Sequence, residues 1–337
     1  MVRIWFNHWF STAYNFIQDM RALDEKKQFY FIGTNQRELC VYKLVCDEFY
    51  IEPELDGEAY VQWCVDFCKE HNVNVFFARK HIVDISAHHA LFDEIGVTVI
   101  TDTNADLIAT LNDKVKTAAL FRQHNLCKVP DIIVVNTVNE FQSAYKTLCE
   151  RHPQDRICFK YAVDEGGTSF RVVDNSMDGI EALRRGQGAK ITYNDAIKML
   201  SAVERFDDLI LMPYLKGPEI SVDSLMTSKG FVGCTRVKTG TRCEVVDTNS
   251  PIIEISKKMA EITGIRHPYN LQLRWHDNEL YLLEVNTRLA GGSFKSNMAG
   301  ICFPYIALCD ALGIDFELPQ SCPPVTVSKI ETSLSID

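Results

Sequence analysis

At 337 residues, with 46% hydrophobic and 24% charged residues, the chain has the make-up of an ordinary globular protein and is too long for one comfortable core. Its formal net charge of −10 argues against nucleic acid or an anionic membrane surface as main partner, while leaving room for a local basic pocket. Val2–Phe6 is apolar, but Asn7-His8 interrupt it before a signal h-region forms. No apolar run approaches the roughly 20 residues that span a bilayer, so a cytoplasmic protein is expected. The twelve cysteines contain no CxxC pair and read as buried small hydrophobes in a reducing compartment, Cys64 and Cys68 at helical spacing included.

The N-terminal third alternates strand and helix. Val2–Phe6, Phe29–Gly33, Val73–Ala78 and Val97–Thr101 read as strands; Thr12–Leu23, Gly57–His71 and the segment around Val83–Ile95 read as helices. The series implies an open parallel sheet with helices on both faces and ligand loops along one edge. The loop after the first strand lacks GxGxxG, so the topology is Rossmann-like without a nicotinamide or flavin site. Its Asn7, His8, Ser11 and Thr12 could line a substrate pocket, although helix N-capping accounts equally for Ser11 or Thr12.

From Leu107 two short helices lead to a Val-Pro step, and Lys114 begins the second of them. Arg156–Asp174 reads as two strands around a loop with Gly166, Gly167, Thr168 and Ser169. Lys160, ending an apolar run, would be costly in a buried strand unless it faces an anion. The glycines let backbone N–H groups approach phosphate oxygens, and the hydroxyls add donors, though most such loops are only turns. No Walker A pattern occurs. Gly179–Asp208 reads as polar and mostly helical around a Gly-rich break, with Arg184, Arg185 and Lys190 on a solvated face. Leu209–Leu225 gives a strand, a turn at Lys216-Gly217-Pro218 and a second strand begun by Glu219. A purine could lie along Met212, Pro213, Tyr214 and Leu215 with Glu219 on its ribose; the plain alternative is a hairpin.

Tyr269–Trp275 and the strand opening Glu279–Gly300 read as antiparallel neighbours. Glu284 and Asn286 project together while Leu283 and Val285 face inward. A three-residue loop, Asp277 to Glu279, would place Gln272 opposite Glu284; a two-residue loop would place it opposite Leu283. The longer loop is expected, because it gathers Gln272, Glu284 and Asn286 as hard oxygen donors beside Arg288. Arg236, Lys238 and Arg242 are dense for a strand pair and, with Arg274, are candidate clamps for an anionic substrate.

Lys114, Lys160 with its Gly-Thr-Ser loop, the M-P-Y-L-K-G-P-E segment and Q-x(11)-E-x-N-x-R occur in order at fitting distances. Together they resemble the ATP-grasp superfamily, especially its carbamoyl-phosphate-synthase-like and D-alanine–D-alanine-ligase-like carboxylate–amine ligases. The resemblance covers nearly the whole chain. It implies an α/β fold (α+β in the nucleotide lobes), with a Rossmann-like pre-ATP-grasp domain followed by a two-lobed ATP-grasp fold. The domains would run from 1 to 110 and from 111 to 320, with a small mobile lobe at about 129–211, a large lobe at about 212–320 and a C-terminal tail at 321–337.

The resemblance further implies that Lys114 and Lys160 contact nucleotide phosphates, with Gly166–Ser169 closing over them. Backbone near Met212–Leu215 would read adenine, and Glu219 would bind ribose. Gln272, Glu284 and Asn286 would hold magnesium (Mg2+, or Mn2+), and Arg288 would face the transferring phosphoryl group. Gly291, Gly292 and Ser293 would donate N–H groups to the substrate carboxylate or acyl phosphate. Tyr161 stands where the family often has proline, and Pro213 where it often has an acidic residue.

The expected chemistry follows from charge. An amine cannot expel oxide from a carboxylate, whereas an acyl phosphate made with ATP offers phosphate as leaving group. Bringing two anions together requires dense positive charge in a closed cleft. The expected function is an ATP-dependent ligase joining a small, amino-acid-like carboxylic acid to an amine. The alternatives are a bicarbonate-activating enzyme, a ligase adding an amino acid to a peptide or protein, and a nucleotide sensor without turnover. Partners would be small-molecule acid and amine substrates, with homodimerisation as a family expectation.

Overall fold

The structure is a computed structural model and describes the chain except for residues 165, 177–179, 181–182, 184–187, 240–241, 331–332 and 336–337. Arg184 and Arg185 therefore lie outside the described residues. The chain divides into two units: Met1–Leu111 with Pro218–Gln272 and Val285–Asp337, and Asn112–Gly217 with Leu273–Glu284.

The first unit opens with a parallel sheet of β1 (Val2–Asn7), β2 (Phe29–Asn35), β3 (Glu48–Ile51), β4 (Val75–Phe77) and β5 (Thr98–Val99), in the order β3-β2-β1-β4-β5. Its strands are apolar on both faces because both faces are covered. Trp5 stacks on Phe76 with centroids 4.0 Å apart, and the next residue, Phe6, stacks on Phe77 at 4.7 Å on the opposite side. Since β1 lies between β2 and β4, the connections after β1 and β4 leave in opposite directions and form a topological switch point. β3 escaped the sequence pattern because it is a short, half-exposed edge strand. The helix expected around Val83–Ile95 is two short ones, Ile82–Ala87 and His89–Asp93, broken at His88, whose φ of −110° is not helical.

The second unit holds β6 (Ile133–Val135), β7 (Ile157–Tyr161), β8 (Arg171–Val173), β9 (Lys190–Ile191) and β10 (Leu209–Pro213), in the order β6-β10-β7-β8-β9. Helix Val138–Arg151, fixed by a Thr137–Glu140 capping box, covers the sheet through Phe141, Ala144 and Leu148. Strand β10 runs antiparallel to β6 and β7.

The remaining sheet has the order β15-β14-β11-β12-β13-β16, formed by β11 (Glu219–Thr227), β12 (Gly230–Lys238), β13 (Cys243–Asp247), β14 (Tyr269–His276), β15 (Glu279–Asn286) and β16 (Val325–Ser328). The unit boundary falls inside β14 and β15. One apolar cluster joins Phe6, Phe16 and Phe31 of the N-terminal sheet layer to Leu225, Val232 and Val246, and to helix Phe303–Leu312 through Phe303 and Leu308.

One alternative falls away and one expectation is corrected. The plain hairpin at Lys216-Gly217-Pro218 does not form, since β10 and β11 belong to different sheets. Gly217 is needed there: its N–H bonds the Trp275 carbonyl, and a Cβ would collide with that same oxygen. The β14–β15 loop is two residues long, not three. Asp277 (φ 48°) and Asn278 (φ 64°) are both left-handed, the requirement of a type I′ turn, and strand resumes at Glu279. The loop therefore lacks the length on which the pairing of Gln272 with Glu284 was expected. All twelve cysteines are free thiols. No helix among the described residues is long and apolar enough to cross a membrane.

Candidate active site

In the second unit, Lys114 and Lys160 converge on one carboxylate. Asp113 caps helix Lys114–Gln123 by accepting from the N–H groups of Val115 and Lys116, and this starts the helix at Lys114. The Lys114 ammonium lies 3.1 Å from the Asp164 carbonyl, 3.4 Å from the Ala162 carbonyl and 3.7 Å from Glu284 Oε2. Lys160, held in β7 opposite Ile210, reaches the same Glu284 oxygen at 3.0 Å. Both lysine side chains are about nine-tenths or more buried. Burial lowers the Lys114 pKa and Lys160 adds to that, against the pull of Glu284. Two desolvated ammonium groups brought side by side are suited to a polyanion. Glu284 and Asn286 fall on one side of β15 by strand alternation.

Beside them, Gly166 and Gly167 take left-handed φ values of 70° and 65°, conformations that favour glycine. The Thr168 and Ser169 hydroxyls, expected to donate outward, fold back onto Asp164, and the Ser169 N–H joins them at 3.1 Å. Partial burial would raise the Asp164 pKa; the Ser169 and Thr168 hydrogen bonds and the Lys114 charge win and hold it below the usual carboxylate range. Sequence reading missed Asp164, whose only signal is its place just ahead of the glycine pair.

Met212, Cys158 and Val172 form a small apolar cluster with Ile132, Phe170, Tyr214 and Leu283, suited to a flat ring. The Tyr214 N–H donates to the Arg156 carbonyl at 2.7 Å, while Leu215 is buried. Pro213 pairs with Ile157 at the end of β10. Arg274, expected as a substrate clamp, instead donates to the Leu215 carbonyl at 3.3 Å, its guanidinium 5.8 Å from the Tyr214 ring centroid. Ile132, Phe170 and Leu283 were not singled out from sequence; each is one apolar residue among many until the strands assemble.

In the first unit several expected substrate contacts prove structural. Arg236 is buried and pairs with Asp223 (2.5 Å) and Glu244 (2.7 Å); Lys295 closes the group on Glu244, and Asn270 donates to Asp223 at 2.8 Å. With its charge matched by two carboxylates, Arg236 is an internal strut rather than a clamp. Gly292 packs against it, a Cβ there falling 2.5 Å from Arg236 Nη1. Lys238 pairs with Glu219 at 2.6 Å, tying the expected ribose ligand to an expected clamp, and Arg242 is exposed. Asn7 is fully buried: its amide donates to the Tyr60 hydroxyl, and its oxygen accepts from the Arg79 N–H at 2.7 Å, leaving it no face for a substrate. His8 Nδ1 lies 3.5 Å from buried Glu52. Both the N–H and the hydroxyl of Ser293 donate to the Ala290 carbonyl, so Ser293 is spent locally, whereas Gly291 lies against Phe10 and Thr12. Arg288 donates to Asn286 Oδ1 at 3.4 Å and lies 5.0 Å from the Phe10 ring centroid.

Known structures share this fold at low sequence identity. N5-carboxyaminoimidazole synthetase from Staphylococcus aureus complexed with ADP is similar at a TM-score of 0.68 and 13% identity, over 98% of this chain and 82% of that one. The biotin carboxylase domain of the Hydrogenobacter thermophilus 2-oxoglutarate carboxylase, a dimer in complex with MgADP, ADP and bicarbonate, matches at 0.64 and 16%, over 94% and 71%. Campylobacter jejuni biotin carboxylase with β-γ-ATP matches at 0.61 and 16%, over 94% and 72%. The chain shares the fold of these structures, the ATP-grasp fold that its motif order implied. Residues 205–333 match the family described as ATP-grasp in the biosynthetic pathway with Ter operon.

Proposed function

We propose that the protein is an ATP-dependent carboxylate–amine ligase that activates a small acid as its acyl phosphate and passes it to an amine. The observation carrying this reading is the convergence of Lys114 and Lys160 on Glu284. In such a site the lysines bind and orient the nucleotide phosphates, and the glycine pair at Gly166-Gly167 offers backbone N–H groups over them. The cluster around Met212 and Tyr214 receives the adenine. Glu284 and Asn286 of β15 are hard oxygen donors that fit magnesium or manganese, and the metal when bound would neutralise phosphate charge. Arg288 stabilises charge on the transferring phosphoryl group. Burial around the lysines keeps water from a reactive acyl phosphate. Twelve reduced thiols and ATP dependence suit a cytoplasmic enzyme.

A second reading, activation of bicarbonate, is favoured by the likeness to a biotin carboxylase domain with bicarbonate bound. One experiment separates the two: ADP release over a panel of acids and amines, with products read by mass spectrometry. Release that requires an organic acid and yields an amide supports the ligase. Release driven by bicarbonate alone supports the second reading, and nucleotide binding without release contradicts both.

A further inference from the structure

We infer that His8 is the general base that takes a proton from the attacking amine, with Nε2 open to the ligand and Nδ1 turned to the buried carboxylate of Glu52. This rests on the ligase reading and deepens it. His8 directly follows β1 at the switch point of the parallel sheet, where open α/β sheets bind ligands. Its two ring nitrogens are placed differently. Nδ1 is buried without a hydrogen-bond partner and lies 3.5 Å from Glu52 Oε1. The side chain keeps 29% of its surface exposed, and Nε2 is neither buried nor hydrogen-bonded among the described residues. Glu52 is wholly buried and held in place, accepting from the Tyr60 hydroxyl at 2.8 Å and the Thr34 hydroxyl at 3.0 Å, with the Lys80 ammonium at 3.8 Å. A carboxylate this close draws the imidazole proton to Nδ1, leaves the lone pair on Nε2 and stabilises the imidazolium once it forms.

The backbone holds the ring in this place. His8 keeps a left-handed φ of 44°, the kind of strain that clusters at active sites. Its N–H donates to the Thr34 carbonyl at 2.8 Å, and its own carbonyl accepts from Arg79 Nη1 at 2.9 Å. The loop that His8 opens faces the segment that would handle the acyl phosphate. The Arg288 guanidinium lies 5.0 Å from the Phe10 ring centroid, and the Cβ position of Gly291 lies 3.6 Å from Thr12 Oγ1. That Thr12 oxygen is itself buried without a hydrogen-bond partner among the described residues, a demand that an amine N–H would satisfy. His81, on the connection after β4, is unsuited to the role, because its two nitrogens face Asp56 at 3.1 Å and Asp84 at 3.5 Å. An amine arrives as its ammonium, which has no lone pair. It gives one proton to His8 Nε2, and the freed nitrogen attacks the acyl carbon. The C–N bond forms as the C–O bond to phosphate breaks, and phosphate leaves with that electron pair and the second amine proton. The imidazolium then returns its proton to water.

The test compares two nucleophiles. Hydroxylamine is unprotonated at neutral pH and needs no base, whereas an alkylamine does. Wild type and His8→Asn, chosen because asparagine tolerates left-handed backbone, are assayed with MgATP and the common amino acids as acids. The nucleophile is either hydroxylamine or the same amino acids as amines, and hydroxamate and amide are read by mass spectrometry. Hydroxamate formation by His8→Asn should stay within about twofold of wild type, while its kcat for the amide should fall about 100-fold or more. Glu52→Gln, which removes only the charge beside Nδ1, should show the same split at about tenfold. An amide rate unchanged in His8→Asn, or no split in Glu52→Gln, overturns the inference. So does an equal loss of both products with MgADP still bound, which would make His8 structural. Hydroxamate without amide from any amine overturns it too, since no base then serves an amine. If wild type forms neither product and releases no ADP with any acid, the ligase reading itself fails.

Discussion

Replacing Glu284 with glutamine probes the centre of the site, because the change keeps shape and removes one charge. Each lysine contact, at 3.0 and 3.7 Å, amounts to roughly 5 kcal/mol of gross attraction at an effective dielectric of about 20. Desolvation offsets much of this, and breaking a largely buried pair costs on the order of 3 kcal/mol. Glu284→Gln should therefore lose about 2–3 kcal/mol of stability by denaturant titration. The loss should depend on pH with a definite sign. Burial already holds the Lys114 pKa below its unfolded value, and removing Glu284 lowers it further. The charging penalty is full below the folded pKa and is relieved as pH rises through it, so the deficit should shrink in alkaline buffer. A polyphosphate would replace the missing negative charge, so metal-free ADP should bind the variant about tenfold more tightly than the wild type. Turnover with MgATP should disappear. A variant as stable as wild type, or one that binds metal-free ADP no more tightly, would refute the reasoning.

Other expectations follow from single contacts. Gly217→Ala drives a methyl into the Trp275 carbonyl and should cost about 1–3 kcal/mol in denaturant unfolding; a neutral result would contradict the close approach. Arg236→Met strands Asp223 and Glu244 in the core and should cost about 3–5 kcal/mol, whereas a solvated clamp would cost far less. Asp19 has a pKa raised to about 6 by burial, against a hydrogen bond from Asn297. A raised carboxyl contributes stability below its unfolded pKa and loses it as pH rises through about 6, so Asp19→Asn should match wild type in acid. Above that pH the variant should gain on the order of 1 kcal/mol, discounted because Asp19 is partly solvated, as thermal melts across the range would show.

What the sequence displayed, and what it hid, divides along local and non-local lines. Lys160 was legible because an ammonium ending an apolar strand demands an anion, and Glu284 because strand alternation aims it away from Val285. The N-terminal alternation was legible for the same local reason. Arg236 was misread because its counter-charges come from neighbouring strands. It sits opposite Ser221 and Val246, two positions from Asp223 and Glu244, a diagonal that exists only once the register of β11, β12 and β13 is set. The β14–β15 loop was misjudged because Asp-Asn tolerates left-handed backbone at both positions, which permits the tighter turn.

The most direct test follows the oxygen. With an acid whose carboxylate carries heavy oxygen, together with MgATP and an amine, the account predicts one labelled oxygen in the released inorganic phosphate for each amide formed. Phosphate carrying no label from the acid, or ADP formed at the same rate without the acid, would contradict it.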